Sequence, residues 1–295
     1  MSFTIARTVD EALAAIASGA RPIAGGSDLV VGARHGKAAL PDNLVAIDRI
    51  ESLRAVTVDE GGLTIGAGAS HDTIERHPQI AANWSALADG SALVGSPATR
   101  HVGTIGGNIC NASPAMDTGA GLVVLAATVE LASLGGTRRV PIGELWIGPG
   151  RTTARADELC TAVHLPPPPA AAGSAYLRLE YRRSMEIAVV GAGAAVTLAA
   201  DGTVTAVRVA LSAVAPTIVE INGLPTGDLA AVGDAAAALA SEQARPISDM
   251  RASDRYRRHA VGVIARRAVL AAARRAAGET IAVPVNRALG IGAAS

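Results

Sequence analysis

Four consecutive prolines, at 166 to 169, constrain this chain more than any other stretch. Each removes a backbone donor and holds φ at about −65°, so neither a helix nor a central strand passes through the run, which is extended linker. The main domain boundary is therefore placed here. Residues 1–168 and 169–295 form two domains of ordinary size.

Upstream of the prolines, short strands and helices alternate. FTIA reads as a strand, DEALAAIAS as a helix capped by Thr8 and ended by Gly19, RPIAGG as a strand and turn, DLVVGARHG as a second helix, and LVAI as a buried strand. This first unit covers about 1–57. In 58–168, LTIGAGA reads as a strand, HDTIERHPQI as a short surface helix stopped by Pro78, and 84–93 as helical. GAGLVVLAAT continues as a helix, and TVELASL, RRVPIGEL and ELCTAVHLP as strands. Downstream, SAYLRLEYRR, IAVVGAGAAVTLAA and TVTAVRVALSAV form an antiparallel meander with a turn at Asp201 and Gly202. Two helices follow, DLAAVGDAAAALASEQA and a long one from the Ser253 cap to Gly278. In the long helix Tyr256, Ala260, Val263, Ile264 and Leu270 share one apolar face. The arginine pairs 257/258, 266/267 and 274/275 fall mostly on the solvated side.

Hydrophobic residues make up 49% and charged ones 18%, with acidic and basic side chains equal in number, so no global charge draws the chain to nucleic acid or an anionic membrane. Aromatic residues are only 2%, too few for a base-stacking platform. No apolar stretch reaches the roughly 20 residues of a membrane span, and the N-terminus lacks the basic start and apolar core of a secretory signal. A soluble, cytoplasmic protein is expected. Cys110 and Cys160 cannot alone supply a disulfide framework, a zinc ribbon or a four-thiolate iron–sulfur site, and they read as small buried thiols. His35, His71, His77, His101, His164 and His259 show no ligand pattern such as HExxH, with His71 and His77 expected on a solvated helix. No GxSxG elbow points to a hydrolase. Trp84, Trp146, Tyr176 and Tyr181 are expected to pack in the core with satisfied polar tips.

Two glycine clusters carry the chemistry. PIAGGSDL, at 22 to 29, follows a strand and opens a helix, where successive N–H groups and the helix N-terminus favour an anion. Gly25 and Gly26 let that anion approach, Ser27 adds a hydroxyl, and Asp28 suits a helix cap. TIGGN, at 104 to 108, offers a second cradle through Gly106, Gly107 and the Asn108 amide, with Thr104, Asn111 and Ser113 nearby. Either cluster alone also reads as a plain turn; together they suit a pyrophosphate and hence a dinucleotide. The common fingerprints are absent. GAGAAV at 191 to 196 lies in a strand meander, GAGASH at 66 to 71 does not fit GxGxxG, and no Walker motif occurs.

In order, PIAGGSDL, GSPATRHVGTIGGNICNASPAMD, LEYRRSMEIAVVGAGAAVTL and SDMRASDRYRRHAVGVIARRA resemble the FAD-binding medium subunit of molybdenum hydroxylases, the group of carbon monoxide dehydrogenase and xanthine dehydrogenase. The resemblance implies an α+β protein: a two-part FAD-binding fold of the vanillyl-alcohol-oxidase (PCMH) type, then an α+β flavoprotein C-terminal domain with a small antiparallel sheet and helices. It implies that Pro22, Ile23, Ala24, Gly25, Gly26, Ser27, Asp28 and Leu29 wrap the FAD pyrophosphate from one side. Gly95, Ser96, Thr104, Gly106, Gly107, Asn108 and Ile109 approach from the other, and Ser113 and Asp117 reach ribityl or sugar hydroxyls. Leu165 resembles an apolar residue near the flavin ring, and Arg178 stands where some relatives carry a flavin-contacting lysine. Where relatives often read QIRN this chain reads ATRH, with His101 at the asparagine position, and Glu186 replaces a frequent aspartate.

The implied role is an oxidoreductase subunit that takes electrons from [2Fe–2S] clusters in a small partner and passes them to an external acceptor. A large partner holds the molybdenum cofactor, and the whole is a dimer of heterotrimers. No catalytic side chain and no metal are assigned to this chain. A stand-alone FAD-dependent reductase of the same fold and a flavin-free assembly or scaffold protein remain the alternatives.

Overall fold

The computed structural model describes residues 2–36 and 38–290. In the first unit β1 (Ser2–Ile5), α1 (Val9–Ala17), β2 (Arg21–Ile23), α2 (Leu29–Arg34) and β3 (Asn43–Ala46) alternate, and a 3₁₀ turn follows at Glu51–Arg54. The strands form a parallel sheet in the order β1-β3-β2. Thr8 caps α1, its hydroxyl accepting from the Glu11 N–H at 3.2 Å, and Ala12, Leu13 and Ile16 at helical spacing bury against Val45 and Ile47.

The second unit begins with β4 (Val56–Asp59) and β5 (Gly62–Gly66), followed by six helices: α3 (His71–Arg76), α4 (Pro78–Asn83), α5 (Ser85–Leu93), α6 (Pro97–Val102), α7 (Ile105–Asn111) and α8 (Asp117–Val124). Then come β6 (Thr128–Ser133), β7 (Gly136–Pro141), α9 (Ile142–Leu145), β8 (Trp146–Gly148), β9 (Arg151–Thr152) and β10 (Leu159–Leu165). The main sheet runs β4-β5-β10-β6-β7, antiparallel throughout. Pro78 does more than stop a helix: it occupies the first turn of α4, where its missing N–H costs nothing. His71 is 1% exposed rather than solvated, because α3 turns its N-terminus under the 102–104 segment.

Beyond the prolines, β11 (Ala172–Leu179), β12 (Val190–Leu198), β13 (Val204–Ser212) and β14 (Val219–Glu220) make the expected antiparallel meander. It is backed by α10 (Leu229–Gln243), α11 (Asp254–Ala276) and the short α12 (Val285–Ala288). The GAG of β12 sits in a strand, as its sequence context implies, and its glycines serve packing. A Cβ on Gly193 would meet the Ala120 carbonyl carbon at 2.8 Å, so only glycine lets α8 lie on the sheet.

In α11 the expected face is only partly right. Ala260 and Ile264 are buried, but Tyr256 and Val263 are 46% and 39% exposed. Arg257 and Arg275, one from each of two arginine pairs, point inward instead. They lie five turns apart at about 3.6 residues per turn, on one face. Arg275 donates to both oxygens of the fully buried Asp89, at 2.6 and 3.1 Å, and Asp89 also accepts from the N–H groups of Val285 and Tyr176. One carboxylate on α5 thus ties β11, α11 and the start of α12 to the second unit. The Trp84, Trp146 and Tyr176 tips are bonded to the Pro166 carbonyl, the Ile109 carbonyl and Asp117. Tyr181 is 54% exposed, outside the core, though its hydroxyl donates to the Arg251 carbonyl.

Candidate functional site

The first arm of the site is the turn between β2 and α2. Parallel pairing with β3 ends at Ile23, and the chain bends at Ala24 and Gly25 before Gly26 takes φ +66°, in the left-handed region. Among the described residues the backbone N–H groups of Gly25, Gly26 and Ser27 donate to nothing. Three successive uncommitted donors around a left-handed glycine make an anion-binding concavity. Asp28 stands at the N-cap of α2, but its side chain makes no capping bond there.

The second arm runs from the end of α6 into α7. Its amides are already committed: Ile105 donates to Ala69 O, Gly106 to Ala67 O, Gly107 to the Thr104 hydroxyl and Asn108 to Thr104 O. The second cradle of free amides expected at TIGGN is therefore absent, because Thr104 caps α7 and the β5–α3 turn takes the rest. What this arm offers is space and side chains. Gly107 is exposed, and its missing Cβ would touch only the Thr104 hydroxyl, at 3.1 Å. Asn108 accepts from the Thr118 hydroxyl at 2.6 Å, leaving its side-chain NH₂ without a partner among the described residues.

The arms meet without clearance. A Cβ on Gly25 would fall 1.8 Å from the Val102 carbonyl oxygen, and the Ser27 hydroxyl lies 3.7 Å from the point where Gly103 would carry one. Beside this junction opens a cleft of ≈ 720 Å³, within the range of small-molecule sites. Ala24, Gly25 and Thr104 line it, together with Arg54, His101, Ser70, Thr73 and the carboxylates Asp48 and Glu51. Gly68, Ala69 and Ser70 close the GAGAS turn, so that segment borders the cleft although it matches no nucleotide fingerprint. Arg54 is exposed and has no ion-pair or hydrogen-bond partner among the described residues, which leaves a cation free at the wall. The His101 Nδ1 atom is 2.9 Å from the Pro97 carbonyl oxygen.

The other sequence-derived site residues lie away from this wall. Ser96 caps α6, and Gly95, at φ +51°, accepts through its carbonyl from the Met185 N–H at 3.0 Å, where the 180–188 loop crosses it. The Ser113 hydroxyl accepts from the Ala115 N–H at 3.3 Å. Three expectations need correction. Leu165 and Ile109 are 1% and 0% exposed, part of the second unit's hydrophobic core, so neither side chain is presented to a ligand.

The third is Arg178, whose buried guanidinium bonds Asp117 at 2.6 Å and Glu180 at 2.7 Å instead of facing the cleft. Burial opposes its charge, but the carboxylates of Asp117 and Glu180 more than offset this and push its pKa up. Burial pushes Asp117 up, Arg178 and the Tyr176 hydroxyl pulling the other way. One cation faces two carboxylates, and the cluster holds α8 to β11.

An open cleft, three free amides and an unpaired arginine fit a nucleotide diphosphate. Residues 1–168 match the family described as the FAD-binding domain in molybdopterin dehydrogenase, and residues 175–272 the carbon monoxide dehydrogenase flavoprotein C-terminal domain. The chain belongs to this FAD-binding family, flavoprotein components of oxidoreductases. It is 33% identical to the carbon monoxide dehydrogenase medium chain of Afipia carboxidovorans, over 87% of this chain and 90% of that one. It is 37% identical to the nicotinate dehydrogenase FAD-subunit of Eubacterium barkeri, but over only 62% of either chain. Carbon monoxide dehydrogenase from Hydrogenophaga pseudoflava superposes with a TM-score of 0.88 at 28% identity, over 93% of this chain and 98% of that one. No helix among the described residues is long and apolar enough to cross a membrane.

Proposed function

We propose that this chain is the flavin-carrying electron-transfer subunit of a cytoplasmic, heteromeric molybdenum hydroxylase. The reading places the FAD diphosphate in the cleft beside the junction of the 24–27 turn and the 102–104 segment. Its main support is the row of uncommitted N–H groups at Gly25, Gly26 and Ser27 beside the cleft. Those groups bind phosphate oxygens, the Gly25–Val102 contact holds the two arms at a fixed separation, and Arg54, which lines the same cleft, supplies positive charge. The Asn108 side-chain NH₂, without a partner among the described residues, is a further donor for the dinucleotide. FAD in this site would collect electrons from the partner's clusters and release them to NAD, a quinone, oxygen or another acceptor.

With only two cysteines, the chain cannot ligate a [2Fe–2S] cluster through thiolates alone. The clusters are therefore assigned to a small partner subunit and the molybdopterin to a large one, assembled as a dimer of heterotrimers. The domain division is proposed at 168, with the first domain split near residue 57; the β4 strand from Val56 already pairs in the second sheet.

Affinity isolation from native cells, with assay of flavin, iron and molybdenum, tests this reading. It predicts one FAD per chain and two co-purifying chains, one carrying iron and one molybdenum. A yellow protein isolated alone would replace the reading with the stand-alone reductase, and a folded colourless one with the scaffold.

A further inference from the structure

We propose that Cys110 and Cys160 form a reversible intrachain disulfide, made when a hydroperoxide oxidises Cys110 and Cys160 resolves the product. These are the only two cysteines of the chain, and the fold brings them together. Cys110 sits near the end of α7 and Cys160 in β10, and α7 packs on β10. Two hydrogen bonds fix the helix to the strand: Gly106 N–H donates to Ala67 O at 2.8 Å, and Ala67 N–H to Thr161 O at 2.9 Å, one residue from Cys160. On the other side the Trp146 indole N–H donates to Ile109 O at 3.0 Å, one residue from Cys110. Held this way, Cys110 and Cys160 are neighbours across the contact of α7 with β10, and each thiol shifts the other's pKa.

Their environments differ in the way an attacking and a resolving thiol require. Cys110 is exposed, contrary to the expectation of two buried thiols, whereas Cys160 is 7% exposed. A small oxidant reaches Cys110, and the group placed to reach Cys160 is Cys110 itself. The neighbouring Cys160 thiol lowers the Cys110 pKa, while Cys110 and then burial push Cys160 up. The lower pKa thus falls on the exposed cysteine, the one that attacks.

The chemistry balances without a further reactant. The Cys110 thiolate attacks one peroxide oxygen; an S–O bond forms, the O–O bond breaks, and the other oxygen leaves as alcohol or water after taking a proton. The Cys160 sulfur, giving up its proton, then attacks the sulfenic sulfur; the S–S bond forms, the S–O bond breaks and water departs. Two electrons pass from the thiol pair to the peroxide, and a dithiol returns them. In a reducing compartment such a bond is transient and redox-responsive. It would tie the end of α7, whose start carries Gly107 and Asn108, to the central strand of the sheet.

The test uses the full-length protein, hydrogen peroxide as probe and peptide mass spectrometry, so it is read independently of flavin content. Both thiols should disappear together, return with dithiothreitol, and yield one linked peptide pair containing residues 110 and 160. Cys160→Ser should stop at a Cys110 sulfenic acid that dimedone traps, and Cys110→Ser should leave Cys160 unmodified. The proposal is overturned if the wild type runs to sulfinic acid at Cys110 without the linked pair, if disulfides form only between chains, or if Cys160 oxidises in Cys110→Ser.

Discussion

Replacing Gly25 by alanine probes the junction of the two arms with a single methyl group. Its Cβ would stand 1.8 Å from the Val102 oxygen and 2.5 Å from the Val102 carbonyl carbon, both backbone atoms that cannot rotate away. The contact must lengthen to at least 3.0 Å, so the 24–27 turn and the 102–103 segment must part by more than an ångström. Overpacking of this kind costs about 1–3 kcal/mol. If the strain is relieved in the free protein and restored when FAD draws the arms together, affinity falls about 5- to 150-fold, at 1.4 kcal/mol per factor of ten. Gly32→Ala in α2 is the matched control. Nothing lies within 4 Å of its Cβ, so FAD binding should not change and the helix should gain a few tenths of a kcal/mol to about 1 kcal/mol. Titration of the apoprotein with FAD, followed by flavin fluorescence, gives both dissociation constants, and thermal unfolding gives both stabilities. Equal FAD affinity in Gly25→Ala and wild type, with both folded, would refute the reasoning that a fixed arm separation sets the grip.

Arg54→Gln should weaken FAD binding about 10-fold and flatten its salt dependence, as expected for a lost charged hydrogen bond of about 1.5 kcal/mol; unchanged affinity and salt slope would remove Arg54 from the site. Asp89→Ala strands Arg275 and two N–H groups in the interior and should cost about 3–5 kcal/mol in thermal or denaturant unfolding, whereas a loss below about 1 kcal/mol would mean water reaches the cavity. His71 is held neutral, its pKa pulled from 6.5 to about 4 by burial and secondarily by Arg100. The folded value is depressed, so the unfolded chain takes up the proton first. This contribution is complete above pH 6.5 and is lost as pH falls toward 4, roughly 3 kcal/mol in all. Stability measured from pH 7 to 4 should fall less in His71→Gln than in wild type, and parallel curves would contradict the assignment.

Much of the local architecture is legible because it rests on local rules. Thr8 and Ser253 cap their helices through their own side chains, the prolines at 166 to 169 precede β11, and the turn at Asp201 and Gly202 joins β12 to β13. The left-handed Gly26 and the free amides around it follow from a Gly-Gly pair between a strand and a helix. What the sequence hides is set by contacts between distant segments. Arg178 looks like a ligand contact until β11 is packed on α8 and Asp117 meets it. His71 looks solvated until the 102–104 segment crosses over it, and Arg275 looks like surface charge until Asp89 on α5 arrives beneath it. The TIGGN amides look free for a ligand, yet Thr104, Ala67 and Ala69 accept from them once β5 and α7 are neighbours. Arg54 stands on a 3₁₀ turn with no motif around it, and only the folded cleft singles it out.

Competition binding tests the diphosphate grip most directly. FAD, ADP and riboflavin are titrated into the same apoprotein by calorimetry. The account predicts one FAD per chain, displacement of FAD by ADP, and riboflavin binding at least about 100-fold weaker than FAD, since the phosphate contacts of the 24–27 turn are then unused. Riboflavin binding as tightly as FAD, with ADP unable to compete, would contradict it.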